Sequence, residues 1–368
     1  MAVHIRNYNV DGFRGINNLH VENLNHINII AGDNNCGKTS VLESVMLLSN
    51  PKDLSTFFSV SRLRNQIAVM PFANSIYNNF INIFSKTKEN FDLQVHATYE
   101  KYDVKFQLFG VQKKIMLTLA DLDKNELKIL DRKISANLSE VPAFIGDLHC
   151  SIGQKSISAK VEVHEYSSVS YLSRTKCNLP KIIYLSPIAH VTGNNFDEII
   201  RNDEYKNICI RILQLFDPDI QDLLLLKSEF TNEIIEYVKH TLYGNMPLNT
   251  YGDGIKKVIA LANAIAKSNN GILLIDEVET AIHSKYYRDI FSFILKAAIE
   301  FNVQVFITTH STEAIDGLLE TQNYDDNAKG DNISVITLKK GNNKTLSRVL
   351  SGRETYKHRE NFDFEVRL

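Results

Sequence analysis

The feature that most constrains this chain is the octapeptide Gly32-Asp33-Asn34-Asn35-Cys36-Gly37-Lys38-Thr39, which follows the apolar run Ile27-Asn28-Ile29-Ile30 and opens the helical run Thr39 to Leu48. A strand that passes through a glycine-bearing turn directly into a helix can curl its backbone N–H groups around phosphate oxygens, with the positive end of the helix behind them. In such a loop Lys38 supplies a mobile cation and the Thr39 hydroxyl a ligand for Mg²⁺, so Gly32 to Thr39 together with Ser40 form a candidate triphosphate cradle. Few architectures accept this arrangement, and all of them need a parallel sheet with helices on its faces.

Two further strand ends complete a site of the same kind. Ile272-Leu273-Leu274-Ile275 runs into Asp276-Glu277, and a buried strand that ends in acids delivers them to the carboxyl edge of the sheet, where ligands of such folds bind. Asp276 is expected to hold Mg²⁺ and Glu277 to orient or deprotonate the attacking water. Val303 to Ile307 is another apolar strand ending in Thr308-Thr309-His310-Ser311; His310 is placed to sense the γ-phosphate through an imidazole N–H. Leu248 to Lys257 sets the glycine turn Gly252-Asp253-Gly254 before a helix, a second anion-capping terminus suited to the nucleotide of a partner subunit.

The alternation of strands and helices in both flanks predicts an α/β P-loop fold with a mostly parallel central sheet. Residues 1–60 and 245–345 read as the nucleotide-binding core and 346–368 as a tail. Between them, residues 61–244 read as an inserted lobe. It has helix-like segments first, then candidate antiparallel strands Gln94 to Tyr99 and Val104 to Leu108, and a mainly helical stretch from 197 to 243. Ile182 to Pro187 looks like a return to a buried strand.

A net charge of −2 gives no global basic field for nucleic acid or an anionic membrane. No apolar run approaches the roughly 20 residues of a membrane span. Cys36, Cys150, Cys177 and Cys209 have neither zinc-site nor disulfide-framework spacing, which suits the cytosol.

Taken in order, the loop at 32–39, the turn at 252–254, Asp276-Glu277 and Thr309-His310-Ser311 resemble the Walker A, signature, Walker B and histidine-switch series of ABC ATPases. Within that clade the chain is similar to stand-alone AAA-type ATPases related to OLD proteins and to RecF and SMC heads. Gly12-Phe13-Arg14-Gly15, the run Asp276 to His283 and the ending Arg359-Glu360-Asn361-Phe362 add to the likeness. The resemblance implies an ATP- and Mg²⁺-dependent homodimer or larger assembly, in which ATP on Lys38 of one subunit meets Gly252-Asp253-Gly254 of another and the Thr280 to His283 turn communicates between them. It departs from the pattern in having Tyr251 where the signature serine stands. Only 57 residues follow Ser311, too few for the nuclease domain of OLD proteins, so the resemblance implies a separate effector, a nuclease or toxin, in anti-phage defence.

Gln66 and Gln112 are candidates for the glutamine that ABC heads place near Mg²⁺, and Tyr8 or Arg14 for contact with adenine. Two other readings stand beside the regulatory ATPase. One is a RecF-like clamp with DNA as partner, using Arg62, Arg64, Lys113, Lys114, Lys256 and Lys257. The other is a nucleotide-bound scaffold with little turnover.

Overall fold

The computed structural model describes residues 3–65, 76–86, 90–117, 140–167, 177–192, 196–227, 233–324, 330–342 and 344–362. In chain order the strands are β1 (Ile5–Asp11), β2 (Leu19–Val21), β3 (Ile27–Gly32), β4 (Phe91–Tyr99), β5 (Asp103–Met116), β6 (Glu140–Ile152), β7 (Lys155–His164), β8 (Ile182–Leu185), β9 (Ile220–Lys227), β10 (Ile234–His240), β11 (Gly244–Pro247), β12 (Ile272–Ile275), β13 (Gln304–Thr308), β14 (Ile333–Lys340) and β15 (Thr345–Ser351). The α-helices are α1 (Lys38–Met46), α2 (Leu54–Arg62), α3 (Ile76–Ile81), α4 (Ala189–Thr192), α5 (Asp203–Leu213), α6 (Asp253–Lys267), α7 (Tyr287–Glu300), α8 (Thr312–Leu319) and α9 (Gly352–Phe362).

The apolar runs that spacing reads as buried strands lie side by side in one sheet, in the order β15-β14-β3-β13-β12-β8. Its β14, β3, β13, β12 and β8 are parallel, and β15 closes the edge antiparallel to β14. Such strands need apolar residues on both faces, because helices or a second sheet cover both. Leu273 and Ile275 of β12 enter one core with helices α5 to α8, whereas Ile272 and Leu274 enter the other with α1 to α3.

A second, antiparallel sheet has the order β2-β1-β4-β5-β6-β7 and packs on that other core. The expected pairing is present, with Val95 opposite Phe106, and the sheet also takes in β1, β2, β6 and β7. Phe80, Phe84, Phe91 and Phe144 pack against one another in edge-to-face, tilted and stacked pairs, and burying each of Phe80, Phe84 and Phe144 contributes about 1.5–3 kcal/mol. Gln304 stitches the two sheets together: its Oε1 accepts from Ile5 N–H at 2.8 Å and its Nε2 donates to Ile5 O at 2.8 Å and Asn25 O at 2.9 Å.

Two expectations change. The stretch 197–243 is helical only through α5 and a short turn at Ile199–Arg201; beyond it β9, β10 and β11 form an antiparallel sheet in the order β11-β10-β9. The apolar run Leu223 to Leu226 and the β-branched Ile234, Ile235 and Val238 favour that pleat. The expected division at 61–244 and 346–368 also cuts across the central sheet, since β8 is one of its edge strands and β15 the other. Gln66 lies outside the described residues, and Gln112 sits in β5 opposite Phe144.

Candidate nucleotide-binding site

The turn from β3 into α1 is built by its glycines. Gly32 has φ +142°, and a Cβ there would stand 2.4 Å from the carbonyl oxygen of Leu338 on the neighbouring strand. Gly37, with φ +106°, caps α1 in the left-handed region, and no side chain caps that terminus. The first-turn N–H groups of α1 are thus left to the loop's concavity. Lys38 Nζ donates to the carbonyls of Gly32 at 2.7 Å and Asp33 at 2.9 Å, which suspends the ammonium over the loop. Cys36 is buried, and burial pushes its thiol up.

The loop and the acids converge. Thr39 Oγ1 donates to Asp276 Oδ1 at 3.0 Å, Thr308 Oγ1 donates to the same oxygen at 2.6 Å, and Tyr184 Oη donates to Oδ2 at 3.0 Å. Three hydroxyl donors thus fix both oxygens of one buried carboxylate. Burial and the adjacent Asp276 push the Tyr184 hydroxyl far up, so it stays a donor. Glu277 follows with φ +49°, a conformation costly for a residue with a side chain, and its N–H donates to Thr308 Oγ1 at 2.8 Å. Asn34, Asn35, Gly37, Lys38, Thr39, Ser40, Arg64, Tyr184, Pro187, Asp276 and Glu277 line one cleft of about 460 Å³. The oxygens of Thr39 and Asp276 at its floor are hard donors of the kind Mg²⁺ takes.

His310 stands apart from that lining. It is exposed beyond the end of β13, where Glu279 Oε1 holds it twice, accepting from its backbone N–H at 2.8 Å and lying 2.9 Å from Nδ1. Gly252 and Asp253 are exposed at the N-terminus of α6, likewise away from the cleft lining, and Ala281 and His283 are exposed on the turn beside them.

Several residues did not announce themselves. Tyr184 and Thr308 were visible only as members of strands. Glu43 is fully buried on α1, with Arg64 donating to both its oxygens at 2.8 and 2.7 Å and Arg14 3.1 Å away. Arg64 also reaches Ser40 Oγ at 2.9 Å and so braces the loop. Arg14, which donates to Val60 O as well, and Tyr8, buried with its hydroxyl on Ser44 Oγ at 2.8 Å, are structural, not adenine contacts. Lys257 is fully buried and Lys256 pairs with Asp253 at 3.1 Å, so neither is a free phosphate ligand; Lys114 lies 3.5 Å from Glu140.

Asp217, Asp219 and His240 cluster near β10. There His240 Nδ1 accepts from the N–H groups of Leu242 and Tyr243, which leaves Nε2 as the protonated nitrogen facing Asp217 and no imidazole lone pair for a metal.

Residues 153–316 match a family described as "AAA domain, putative AbiEii toxin, Type IV TA system", and residues 3–90 match one described as a protein of unknown function. An "ATP/GTP phosphatase" of Helicobacter pylori is 23% identical over 335 residues, 85% of this chain and 86% of that one. An uncharacterized protein of Methanocaldococcus jannaschii is 46% identical over 62 residues, 17% of this chain and 26% of its own. Among solved structures, an SMC head bound to the C-terminal winged-helix domain of ScpA superposes with a TM-score of 0.51 and 14% identity, covering 96% of this chain and 99% of that one. Among the described residues no helix is long and apolar enough to cross a membrane. With the phosphate loop, the acid pair and the parallel sheet in one place, the chain has the P-loop fold of ABC-type ATPases, like that of an SMC head.

Proposed function

We propose that the chain binds and hydrolyses ATP with Mg²⁺ and uses the cycle to regulate a separate effector. The observation that carries the reading is the convergence of Thr39, Thr308 and Tyr184 on Asp276 beneath Lys38, with Glu277 next in line. In this reading the loop amides and Lys38 grip the phosphates, and Thr39 and Asp276 hold the metal. Mg²⁺ held there would supply positive charge to the phosphate oxygens. Glu277 takes the proton of the attacking water, and His310, steered by Glu279, addresses the γ-phosphate. The name of the Helicobacter pylori relative points to the same chemistry.

The turn Gly252-Asp253-Gly254, outside the cleft and with Gly252 and Asp253 exposed, serves the nucleotide of a second copy, so that ATP closes a homodimer. Asp253 lowers the attraction of that terminus for phosphate, and its pairing with Lys256 offsets the charge. The matching family's description names a toxin system, which favours a nuclease or toxin as the regulated partner and anti-phage defence as the setting. The clamp reading loses weight here, because Lys257 is sealed inside and Arg64 is engaged by Glu43.

The test is ATP turnover by the parent, Lys38→Ala and Glu277→Gln, with molecular mass measured with and without Mg-ATP. The expected outcome is turnover in the parent alone and an ATP-dependent dimer trapped by Glu277→Gln. Equal turnover in all three proteins overturns it.

A further inference from the structure

Adjacent lysines at the start of α6 have opposite fates. Lys256 lies outward against Asp253, whereas Lys257, one turn into the helix, is fully buried. Its hydrogen bond is a long one of 3.4 Å to the carbonyl of Pro187 in the cleft wall. An ammonium has three donors and is costly to bury without an anion. The charge that favours it most is Glu279, ahead of Asp276 and Glu277, and burial nonetheless holds Nζ down at about 8. Glu279 is itself over nine-tenths buried. Its Oε1 holds His310, while among the described residues its Oε2 is buried without a hydrogen-bond partner.

Two opposite charges with spare bonding capacity are therefore buried close enough to influence each other, with no ion pair formed between them. The helix that carries one of them touches the turn after the acid pair directly: a Cβ on Gly254 would lie 3.3 Å from the carbonyl oxygen of Ala281. The N-cap of the same helix is the exposed Gly252.

We infer that Lys257 and Glu279 are positioning residues that form a buried relay, in which a partner's triphosphate seated on the Gly252 turn shifts α6, closes the Lys257–Glu279 ion pair and so fixes His310. The inference rests on the dimer reading above. It gives each protomer a way to hydrolyse its own ATP only when its α6 is engaged by the other's. Lys257 touches neither nucleotide. Its effect passes through Glu279 to the histidine.

The experiment is a double-mutant cycle in the full chain with Lys257→Met, Glu279→Gln and the pair. ATP turnover is read as kcat and KM, and ATP-driven dimerisation is read separately in a Glu277→Gln background. Each single variant is expected to dimerise and to lose about tenfold in kcat with KM little changed, and the double variant to be no worse than the worse single. Lys257→Arg, which keeps the charge, is expected to recover most of the rate. Multiplicative losses, or an unchanged kcat in Lys257→Met, overturn the relay. Should Lys257→Met fail to fold, Lys257→Gln, which also removes the charge, takes its place in the cycle and decides by the same criterion. A parent that neither turns over nor dimerises sinks the proposed function and the relay together, whereas an active parent with a multiplicative cycle sinks only the relay.

Discussion

Thr39 and Asp276, separated by 237 positions in the chain, share a 3.0 Å hydrogen bond at the floor of the cleft. The hydroxyl of Thr308 completes the arrangement by donating to the same carboxylate oxygen at 2.6 Å while accepting the N–H of Glu277 at 2.8 Å. One hydroxyl thus sets the angle between the two acids.

Thr308→Val keeps the shape and removes that hydroxyl. The N–H of Glu277 then loses its acceptor, at a stability cost of about 1–3 kcal/mol. Turnover is expected to fall by roughly 10²-fold because the water-orienting carboxylate is no longer held. Denaturant unfolding and steady-state ATP hydrolysis measure the two effects, and parent-like values in both would show that the hydroxyl is idle.

Gly32→Ala forces a Cβ to 2.4 Å from the Leu338 carbonyl at a φ of +142°. Since the obstacle is backbone on β14, it cannot swing aside. A loss on the order of 2–4 kcal/mol is expected in chemical unfolding, with nucleotide binding lost alongside.

The buried Glu43 ranks its two arginines. Arg14 is the more enclosed, with 13% of its side chain exposed against 50% for Arg64. Removing Arg14 leaves a buried carboxylate partly uncompensated, and Arg14→Met is expected to cost about 3 kcal/mol. Arg64→Met, with water able to take over, is expected to cost about 1 kcal/mol and to loosen Ser40 as well. Equal unfolding midpoints for the two variants would contradict this ranking.

Lys257 predicts a pH signature. Its folded-state value is held at about 8 by burial, against 10.5 in the open chain. Between those values the unfolded state binds the additional proton, so stability rises as the pH climbs from about 8 to 10.5; below about 8 both states are protonated and the full cost of burial is felt. The whole increment is on the order of 3 kcal/mol. Lys257→Met is expected to lack that rise, and comparison of melting temperatures of the two proteins from pH 7 to 10.5 checks it. Parallel curves would show that Lys257 keeps its ordinary affinity for the proton.

The sequence by itself determined what is contiguous. The loop Gly32 to Thr39 needs glycines at fixed places and a helix behind it, and Ile272-Leu273-Leu274-Ile275 must lie between two layers because both of its alternating sets are apolar. Those local rules carry the chemistry, so the phosphate loop, the acid pair and the parallel sheet were legible before any coordinates. The strands β6, β7 and β9 to β11 were less so, because much of β7, the start of β10 and β11 are exposed and their apolar alternation is weak. What only the tertiary structure decided were pairings between distant residues: Tyr184 on Asp276, Arg64 on Glu43, Glu279 on His310. It also decided which of two neighbouring lysines is sealed inside. Side-chain type names a donor or an acceptor, but its partner depends on strand order and helix rotation, which packing across the whole chain fixes.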